Sequence, residues 1–210
     1  MSINLMKIYG WTGEGAKGLH PLVPLRSDLI RRGKMVRQMK TEEIDKCVQV
    51  IRDSFMTVAD AFGFTQENAP RFTAFATTAE RLAWQRQEGR PMYVWEEDGQ
   101  IAGYYSLHLQ GEGKCELNNL CVLPAYRHRQ IGERLLEHAF LQAREQGCGQ
   151  MFIGIVEENA QLRQWYEAHG AVHVGTEKYD FFPFTCGYLE KSLDACSSRA
   201  GSDGAWYECK

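Results

Sequence analysis

Residues 120–136 read Leu-Cys-Val-Leu-Pro-Ala-Tyr-Arg-His-Arg-Gln-Ile-Gly-Glu-Arg-Leu-Leu, and this stretch decides the fold. The pattern predicts the end of a β-strand, a basic turn after Pro124 and the first turn of an amphipathic helix. The first N–H groups of a helix lack partners within the helix, and the helix dipole is positive there, so such an end binds phosphate readily. Arg127 and Arg129 add positive charge, and Gly132 allows a ligand to approach the backbone. The segment therefore predicts an anion site, with an ordinary solvated basic turn as the alternative.

The chain downstream of the turn alternates helix and strand patterns. A helix is predicted from about Gly132 to Gln146, with Gly147 as its stop. Residues 151–156 alternate little in polarity and predict a strand buried on both faces. A short helix over 160–169 and strands that include 172–174 and 185–190 follow.

The chain upstream begins with a predicted strand over 35–39. Thr41 is the expected N-cap of a helix with apolar residues at i, i+3, i+4 and i+7 spacing, and a second helix covers 78–88. Asp98-Gly99 predicts a hairpin between two strands, and a further strand covers 116–123. The order β-α-α-β-β-β-α-β-α-β-β indicates an α/β fold with a mixed sheet and helices on both faces.

Two motifs resemble the acetyl-CoA signature of the GCN5-related N-acetyltransferase superfamily. Arg127 and Gly132 fit the first and last positions of Arg/Gln-x-x-Gly-x-Gly/Ala, whereas Gln130 stands where Gly is usual. Downstream, Asn159, Tyr166 and Gly170 are in register with the pattern Asn-x-x-x-x-x-x-Tyr-x-x-x-Gly-Phe, with Ala in place of the Phe. The resemblance covers about residues 35–192 and implies a mostly antiparallel central sheet that splays between its fourth and fifth strands.

The resemblance also implies acetyl-CoA as co-substrate and assigns the residues that hold it. Backbone groups of β-strand residues pair with the pantetheine arm, the turn binds the pyrophosphate, and Asn159 anchors the pantetheine side. The implied cofactor-binding residues are Leu120, Cys121, Val122, Arg127, His128, Arg129, Gln130, Ile131, Gly132, Glu133, Asn159 and Tyr166. No metal is expected.

The implied reaction is direct attack of an amine on the thioester in a ternary complex. Tyr166 is the candidate general acid for the departing thiolate, because a phenol stays protonated at neutral pH; the alternative is a half-buried helix aromatic. Glu116 is the first candidate for the general base, with Asn118 beside it. Strand alternation puts both on the same face as Leu120 and Val122. A solvated strand-end carboxylate is the alternative for Glu116, and Glu157 with Glu158 is a further option. Cys121 is interpreted as packing rather than as a nucleophile.

The acceptor is expected to be a primary amine of a small molecule. The alternatives are a protein N-terminal or lysine acetyltransferase, which would need an open, preferably acidic groove, and a non-catalytic acyl-CoA-binding module. In this fold the acceptor enters between the first helices and the last hairpin, and that region is rich in aromatic residues, which suggests a lined pocket or a dimer surface. They are Phe55, Phe62, Phe64, Phe72, Phe75, Trp84, Tyr179, Phe181, Phe182 and Phe184, together with Met56.

The composition fits this interpretation and limits others. The 210 residues are 44% hydrophobic and 24% charged with a net charge of −3, so a general attraction to nucleic acid or anionic membranes is not expected. Seven cysteines without a Cys-x-x-Cys pair predict neither a disulfide framework nor a zinc site. A cytoplasmic protein and a possible homodimer are expected. Residues 1–34 and 193–210 are predicted to be an N-terminal extension and a mobile tail around a domain at 35–192.

Overall fold

The computed structural model describes residues 34–193, so the two predicted extensions lie outside the described residues except at Lys34 and Leu193. The predicted order of elements is confirmed, and one element that the sequence did not indicate is added, the one-turn helix α2. The elements are β1 (Lys34–Gln38), a 3₁₀ turn (Thr41–Glu43), α1 (Ile44–Phe62), α2 (Thr73–Ala76), α3 (Ala79–Gln87), β2 (Met92–Glu97), β3 (Gln100–Gly111), β4 (Lys114–Val122), a second 3₁₀ turn (Pro124–Tyr126), α4 (Ile131–Glu145), β5 (Gln150–Val156), α5 (Ala160–Ala168), β6 (Val172–Lys178) and β7 (Thr185–Ser192).

The seven strands form one sheet in the order β1-β2-β3-β4-β5-β7-β6. Only β4 and β5 run parallel, and the other neighbours are antiparallel, which confirms the mixed, mostly antiparallel sheet. The parallel pairing joins Lys114–Leu117 to Gln150–Ile153 and extends no further within the described residues. Beyond Leu117 the two strands diverge, so the predicted splay is confirmed.

The hairpin between β2 and β3 turns at Asp98 and Gly99, as predicted. Both residues have positive φ, 50° and 78°, which is the backbone of a type I′ turn. This turn matches the twist of the flanking strands, and it fixes the register that brings Glu97 opposite Gln100.

A β-bulge in β4 corrects the alternation expected for this strand. Tyr104 faces Cys121 and Ser106 faces Asn118, so β4 holds one residue more than β3 between the two pairs. Asn119 has φ +54°, as a bulge residue often does. The bulge exchanges the faces: Leu120 and Val122 pack with Leu117, Cys115 and α4, whereas Cys121 joins Tyr104 and α1 on the side of Glu116 and Asn118. The expectation that Leu120 and Val122 share a face with Glu116 is therefore wrong.

The start of α1 is fixed by Glu43 rather than by the expected cap Thr41, which is the first residue of a 3₁₀ turn. The Glu43 carboxylate accepts a hydrogen bond from the Lys40 N–H at 2.8 Å and two from the Arg37 guanidinium. The Arg37 hydrogen bonds lower the pKa of Glu43 to about 2. A charged side chain thus organises this helix entrance.

Helices cover both faces of the sheet, as predicted. The apolar stripe of α4 and Tyr166 of α5 pack on one face, and α1 and α3 cover the other. A further group, called here the aromatic cluster, joins the end of α1 to the segment before β7; its buried aromatic members are Phe64, Phe72, Phe182, Phe184 and Tyr188.

The prediction that β5 is buried on both faces is confirmed except at one position. Met151, Ile153 and Ile155 are buried in the core under α4, and Phe152 packs against the aromatic cluster. Gly154 is exposed, because it lies where the neighbouring strand β4 has moved away.

Candidate active site

The divergence of β4 and β5 opens a cleft of about 700 Å³. Its walls come from α1, β4, the turn before α4, β5 and α5, and from the segments 71–73 and 182–184. The cleft therefore runs through the sheet at the point where backbone pairing stops. Most of the residues expected to hold the cofactor, and both candidate catalytic residues, line it. Arg129 is the exception.

The turn before α4 presents a set of backbone N–H groups to this cleft. None of the described residues accepts a hydrogen bond from the N–H groups of residues 128–133. His128 and Gln130 both have φ +61°, and this left-handed backbone bends the chain so that α4 starts at the cleft. Unpaired N–H groups at a helix N-terminus are suited to an anion.

The conformation of Gln130 explains why its position in the motif usually holds Gly. It is the N-cap of α4 with φ +61°, a region that side chains other than that of Gly enter at a cost of roughly 1–2 kcal/mol. Gly132 has no such requirement: a Cβ there would meet Trp165 at 3.8 Å and Val122 at 3.9 Å, which is ordinary contact. The departure from the motif therefore places a side chain on a strained backbone position.

The two arginines of the turn act differently. The Arg127 guanidinium donates to the Val122 carbonyl at 3.1 Å and to the carbonyl and hydroxyl oxygens of Ser54 and Thr57 at 3.0 Å each, which ties the turn to β4 and α1. Arg129 does not line the cleft; its guanidinium lies 5.2 Å from the Tyr126 ring and 3.5 Å from Glu97. Arg127 thus positions the turn, whereas the Arg129 guanidinium faces Glu97 and Tyr126 rather than the cleft.

The strand β4 lines the opening with Leu120, Cys121 and Val122. Because β5 has diverged, the edge of this segment that faces β5 has no strand partner. Burial raises the pKa of the Cys121 thiol to about 12, so the sulfur stays protonated. This agrees with the interpretation of Cys121 as packing.

Helix α5 places Asn159 and Tyr166 on the cleft. The Asn159 side-chain oxygen accepts the Leu162 N–H at 3.1 Å and caps the helix, which leaves its amide N–H₂ group for another acceptor. Tyr166 is 6% exposed, and burial raises the pKa of its hydroxyl. The phenol is therefore protonated at neutral pH.

Glu116 is a buried carboxylate, 3% exposed, and not the solvated strand-end residue that was the alternative. Its Oε2 atom has no hydrogen-bond partner among the described residues, and it lies 3.8 Å from Nδ1 of His108. Burial raises the pKa of the Glu116 carboxyl, and His108 and Arg90 partly oppose the rise. Asn118 beside it accepts a hydrogen bond from Arg90 at 3.3 Å.

Sequence reasoning missed His108. The residue faces Glu116 directly in the β3–β4 ladder. The β3–β4 hairpin turns at Glu112 and Gly113, which alone would place Leu109 opposite Glu116. A shift of register between Leu109 and Gly111 brings His108 there instead, so the turn gave no sufficient signal for the pair.

The further candidates for a base lie elsewhere. Glu157 is 2.5 Å from Arg163 and 3.0 Å from His173, and Glu158 accepts the Thr185 N–H at 2.9 Å. Neither lines the cleft. The Glu157 carboxylate is therefore engaged with α5 and β6, and the Glu158 carboxylate with β7.

Part of the aromatic cluster forms the remaining wall. Phe55, Phe72, Phe182 and Phe184 line the cleft, with ring centroids 6.1 Å apart for Phe55 and Phe72 and 4.6 Å apart for Phe182 and Phe184. Phe62, Phe64, Phe75, Tyr179 and Met56 pack behind them. Trp84 is not part of this wall: it lies 53% exposed on α3, 5.7 Å from Arg90.

Two negative observations concern the described residues. Between residues 34 and 193, no helix is long and apolar enough to cross a membrane. The same part of the chain holds no group of three His, Cys, Asp or Glu side chains arranged to bind a metal ion.

Comparison with known proteins agrees with this geometry. The profile of the Acetyltransferase (GNAT) family matches residues 57–171, more than half of the 210-residue chain. A relative described as an uncharacterized N-acetyltransferase in the pepI 3′ region of Lactobacillus delbrueckii subsp. lactis is 24% identical over 150 residues. The match covers 66% of this chain and 84% of the relative.

Solved structures share the fold at low sequence identity. The PaiA N-acetyltransferase from Thermoplasma acidophilum, in complex with coenzyme A, matches with a TM-score of 0.64 and 18% identity over 76% of this chain and 98% of its own. A putative acetyltransferase from Salmonella typhimurium with its cofactor acetyl-CoA gives 0.60 and 20% over 77% and 95%. The ribosomal-protein-S18-alanine N-acetyltransferase from Escherichia coli gives 0.63 and 13% over 79% and 97%. The chain belongs to the Acetyltransferase (GNAT) family, and the expectations of an acetyltransferase fold, an enzyme and acetyl-CoA as co-substrate are confirmed.

Proposed function

We propose that the protein transfers the acetyl group of acetyl-CoA to the primary amine of a small molecule, and that the cleft holds both substrates. The observation that carries this proposal is a buried carboxylate, Glu116, whose Oε2 atom accepts no hydrogen bond from residues 34–193, in the same cleft as a helix N-terminus with unpaired N–H groups. An enzyme that joins an amine to the thioester of acetyl-CoA needs a base for the amine and a binding site for the phosphates of CoA. We assign the first to Glu116 and the second to the helix N-terminus.

The cofactor half of the cleft consists of residues 127–133, Leu120–Val122, Asn159 and Tyr166. The pyrophosphate lies on the N–H groups of residues 128–133, which Arg127 holds in place. The pantetheine arm runs along the unpaired edge of Leu120–Val122, and the Asn159 amide donates to it. Tyr166 gives its proton to the thiolate when the C–S bond breaks.

The acceptor half consists of Glu116, Phe55, Phe72, Phe182 and Phe184. Glu116 removes a proton from the substrate ammonium, because only a neutral amine has the electron pair that attacks the thioester carbonyl. The raised pKa of the Glu116 carboxyl lies closer to neutral pH, and a general base is more effective when its pKa is near the working pH. The aromatic side chains surround the apolar body of the acceptor.

Two features favour a small amine over a protein substrate. Glu116 and Glu133 are the carboxylates that line the cleft, and Glu133 lies at the turn, 3.9 Å from His169. The acceptor half thus has one buried carboxylate, and the side chain of Arg71, which also lines the cleft, is positive. A groove for a lysine-rich segment would need more negative charge than this.

The test is release of free thiol from acetyl-CoA with two acceptor sets, small apolar primary amines and peptides with free N-termini or lysines. We expect turnover with small amines and little with peptides. Higher kcat/KM for a peptide would overturn the choice of acceptor while leaving acetyl transfer intact. Absence of CoA binding by calorimetry would overturn the placement of the cofactor.

A further inference from the structure

We infer that His108 acts through Glu116, as a positioning residue: it takes the proton from the Glu116 carboxyl and passes it to solvent during acetyl transfer. The inference rests on the proposed function, since it concerns the fate of the proton that Glu116 takes from the amine. It adds a residue that lies outside both motifs.

The two side chains are held together by the sheet. His108 and Glu116 are direct partners in the antiparallel β3–β4 ladder and therefore lie on one face. Nδ1 of His108 is 3.8 Å from Oε2 of Glu116, within ion-pair distance, and the inferred transfer requires the two atoms to approach to hydrogen-bond distance. The atom that His108 approaches is the carboxylate oxygen that has no hydrogen-bond partner among residues 34–193.

Burial makes such a connection necessary. The Glu116 side chain is 4% exposed, whereas the His108 side chain is 17% exposed. A proton left on Glu116 would block the next turnover, because a carboxylic acid cannot accept another one. The imidazole lies between the buried oxygen and water, and it can take a proton on one nitrogen and release one from the other.

The remaining groups around Glu116 cannot perform this transfer. Arg90 faces the carboxyl as a permanent cation, and it is engaged with Glu88 at 2.8 Å and with Asn118. Asn118 has an amide that does not titrate, and interaction with Cys148 together with burial raises the pKa of the Cys115 thiol next in sequence. Among these described groups, His108 is thus the one whose side chain can take a proton on one nitrogen and release one from the other.

An N–H bond of the substrate ammonium breaks, its electron pair stays on nitrogen, and the proton goes to Oε2 of Glu116. The neutral amine forms the C–N bond while the C–S bond of the thioester breaks. The thiolate takes the Tyr166 proton, and the second proton that nitrogen loses on becoming an amide returns to the Tyr166 oxygen. Glu116 then passes its proton to Nδ1 of His108, Nε2 releases one to water, and exchange with water returns the imidazole to the tautomer with Nδ1 unprotonated.

The test compares His108→Gln with His173→Gln in the full-length protein. His173 forms a second His–Glu pair, 3.0 Å from Glu157, and neither member lines the cleft, so it is a matched control. We expect His108→Gln to lower kcat/KM at pH 7 by about tenfold and to move the acid limb of the pH profile upward, since the imidazole otherwise lowers the pKa of Glu116. His173→Gln should do neither.

Two further measurements separate this role from a structural one. Added imidazole should restore part of the rate of His108→Ala, as expected for a missing proton carrier. Titration of the ¹³C-labelled Glu116 carboxyl in the protein without substrates should show a higher pKa in His108→Gln than in wild type. That titration needs no turnover, so an unchanged value overturns the pairing even if the proposed reaction is wrong. Turnover with an unchanged pH profile and no rescue overturns the relay alone.

Discussion

The two halves of the cleft are built from different parts of the chain. The cofactor half draws on one stretch of seven residues, 127–133, on the strand before it and on one face of α5. The acceptor half draws on positions far apart in sequence, such as Phe55, Phe72, Glu116 and Phe184. The cofactor half offers backbone N–H groups, whereas the acceptor half offers side chains.

This difference has a physical consequence. Backbone N–H groups are present in every sequence, so the cofactor half depends mainly on the course of the chain, which Arg127 and the left-handed residues His128 and Gln130 maintain. The acceptor half changes with every substitution of its side chains. We therefore expect changes in the cofactor half to act through stability and CoA affinity, except at the Tyr166 hydroxyl, which is proposed to take part in the reaction. Changes in the acceptor half should act through rate.

Glu116→Gln should have the largest effect, because it removes the proposed base. We expect kcat/KM to fall by about 10²–10³-fold with CoA affinity unchanged, measured by thiol release and calorimetry. The folded pKa of Glu116 is raised, so its ionisation costs stability once the pH rises above the unfolded value. The variant should therefore melt no lower than wild type at pH 8. A fall in CoA affinity equal to the fall in rate would contradict the separation of the two halves.

Arg127→Ala should weaken the cofactor half as a unit. Loss of the hydrogen bonds to Val122, Ser54 and Thr57 is expected to cost about 2–3 kcal/mol of unfolding free energy, measured by urea denaturation. CoA affinity should fall with it. Arg129→Ala is the matched control, since its guanidinium does not line the cleft and makes none of these hydrogen bonds. Equal losses of stability in both variants would show that charge, and not position, is what the turn requires.

Tyr166→Phe should slow the reaction by about tenfold while KM for acetyl-CoA changes little. The phenyl ring keeps the packing against Trp165, whose ring centroid is 4.9 Å away, and only the hydroxyl is lost. The measurement is a pH–rate profile with thiol release. Full activity at every pH would remove Tyr166 from the reaction.

Gln130→Gly should have the smallest effect, and it should raise the stability of the protein rather than lower it. Relief of the left-handed backbone at φ +61° is expected to raise the unfolding free energy by up to about 1 kcal/mol, read as a higher Tm. CoA affinity should hold or improve slightly. Gln130→Val is the control, since a β-branched residue strains this position further. A lower Tm for the Gly variant would mean that the Gln130 side chain contributes more stability than the left-handed backbone conformation costs.

The fold, and the gathering at one cleft of the residues proposed for the cofactor half, could be predicted from local signals. The strand, the basic turn and the helix start are contiguous in 120–136, and hairpin chemistry at Asp98-Gly99 fixed one register. The alternation of residues along the strand could not predict the bulge at Asn119. An inserted residue changes which face the following side chains occupy without changing the composition of the strand. The faces of Leu120 and Val122 were therefore assigned wrongly.

The acceptor half was predicted only as an aromatic-rich region. Which aromatic residues reach the cleft depends on how α1 and the segment before β7 meet, and residues such as Phe72 and Phe184, 5.9 Å apart, are more than a hundred positions apart in sequence. The Glu116–His108 pair lies between the two cases. It is distant from either motif and lies in one hairpin, but the register shift between Leu109 and Gly111 that creates it is not visible in the sequence.

The short parallel pairing of β4 and β5 also makes the folded state sensitive to its ligand. Four pairs of residues join the two central strands, and beyond them both edges remain open inside the protein. A pantetheine chain lying in this gap would act as a missing strand and bridge the two halves of the sheet. By mass action, saturation at a hundred times Kd stabilises a protein by about 2.7 kcal/mol. The amount of folded enzyme would then follow the supply of acetyl-CoA, and amide protons along both open edges should exchange more slowly as that supply rises.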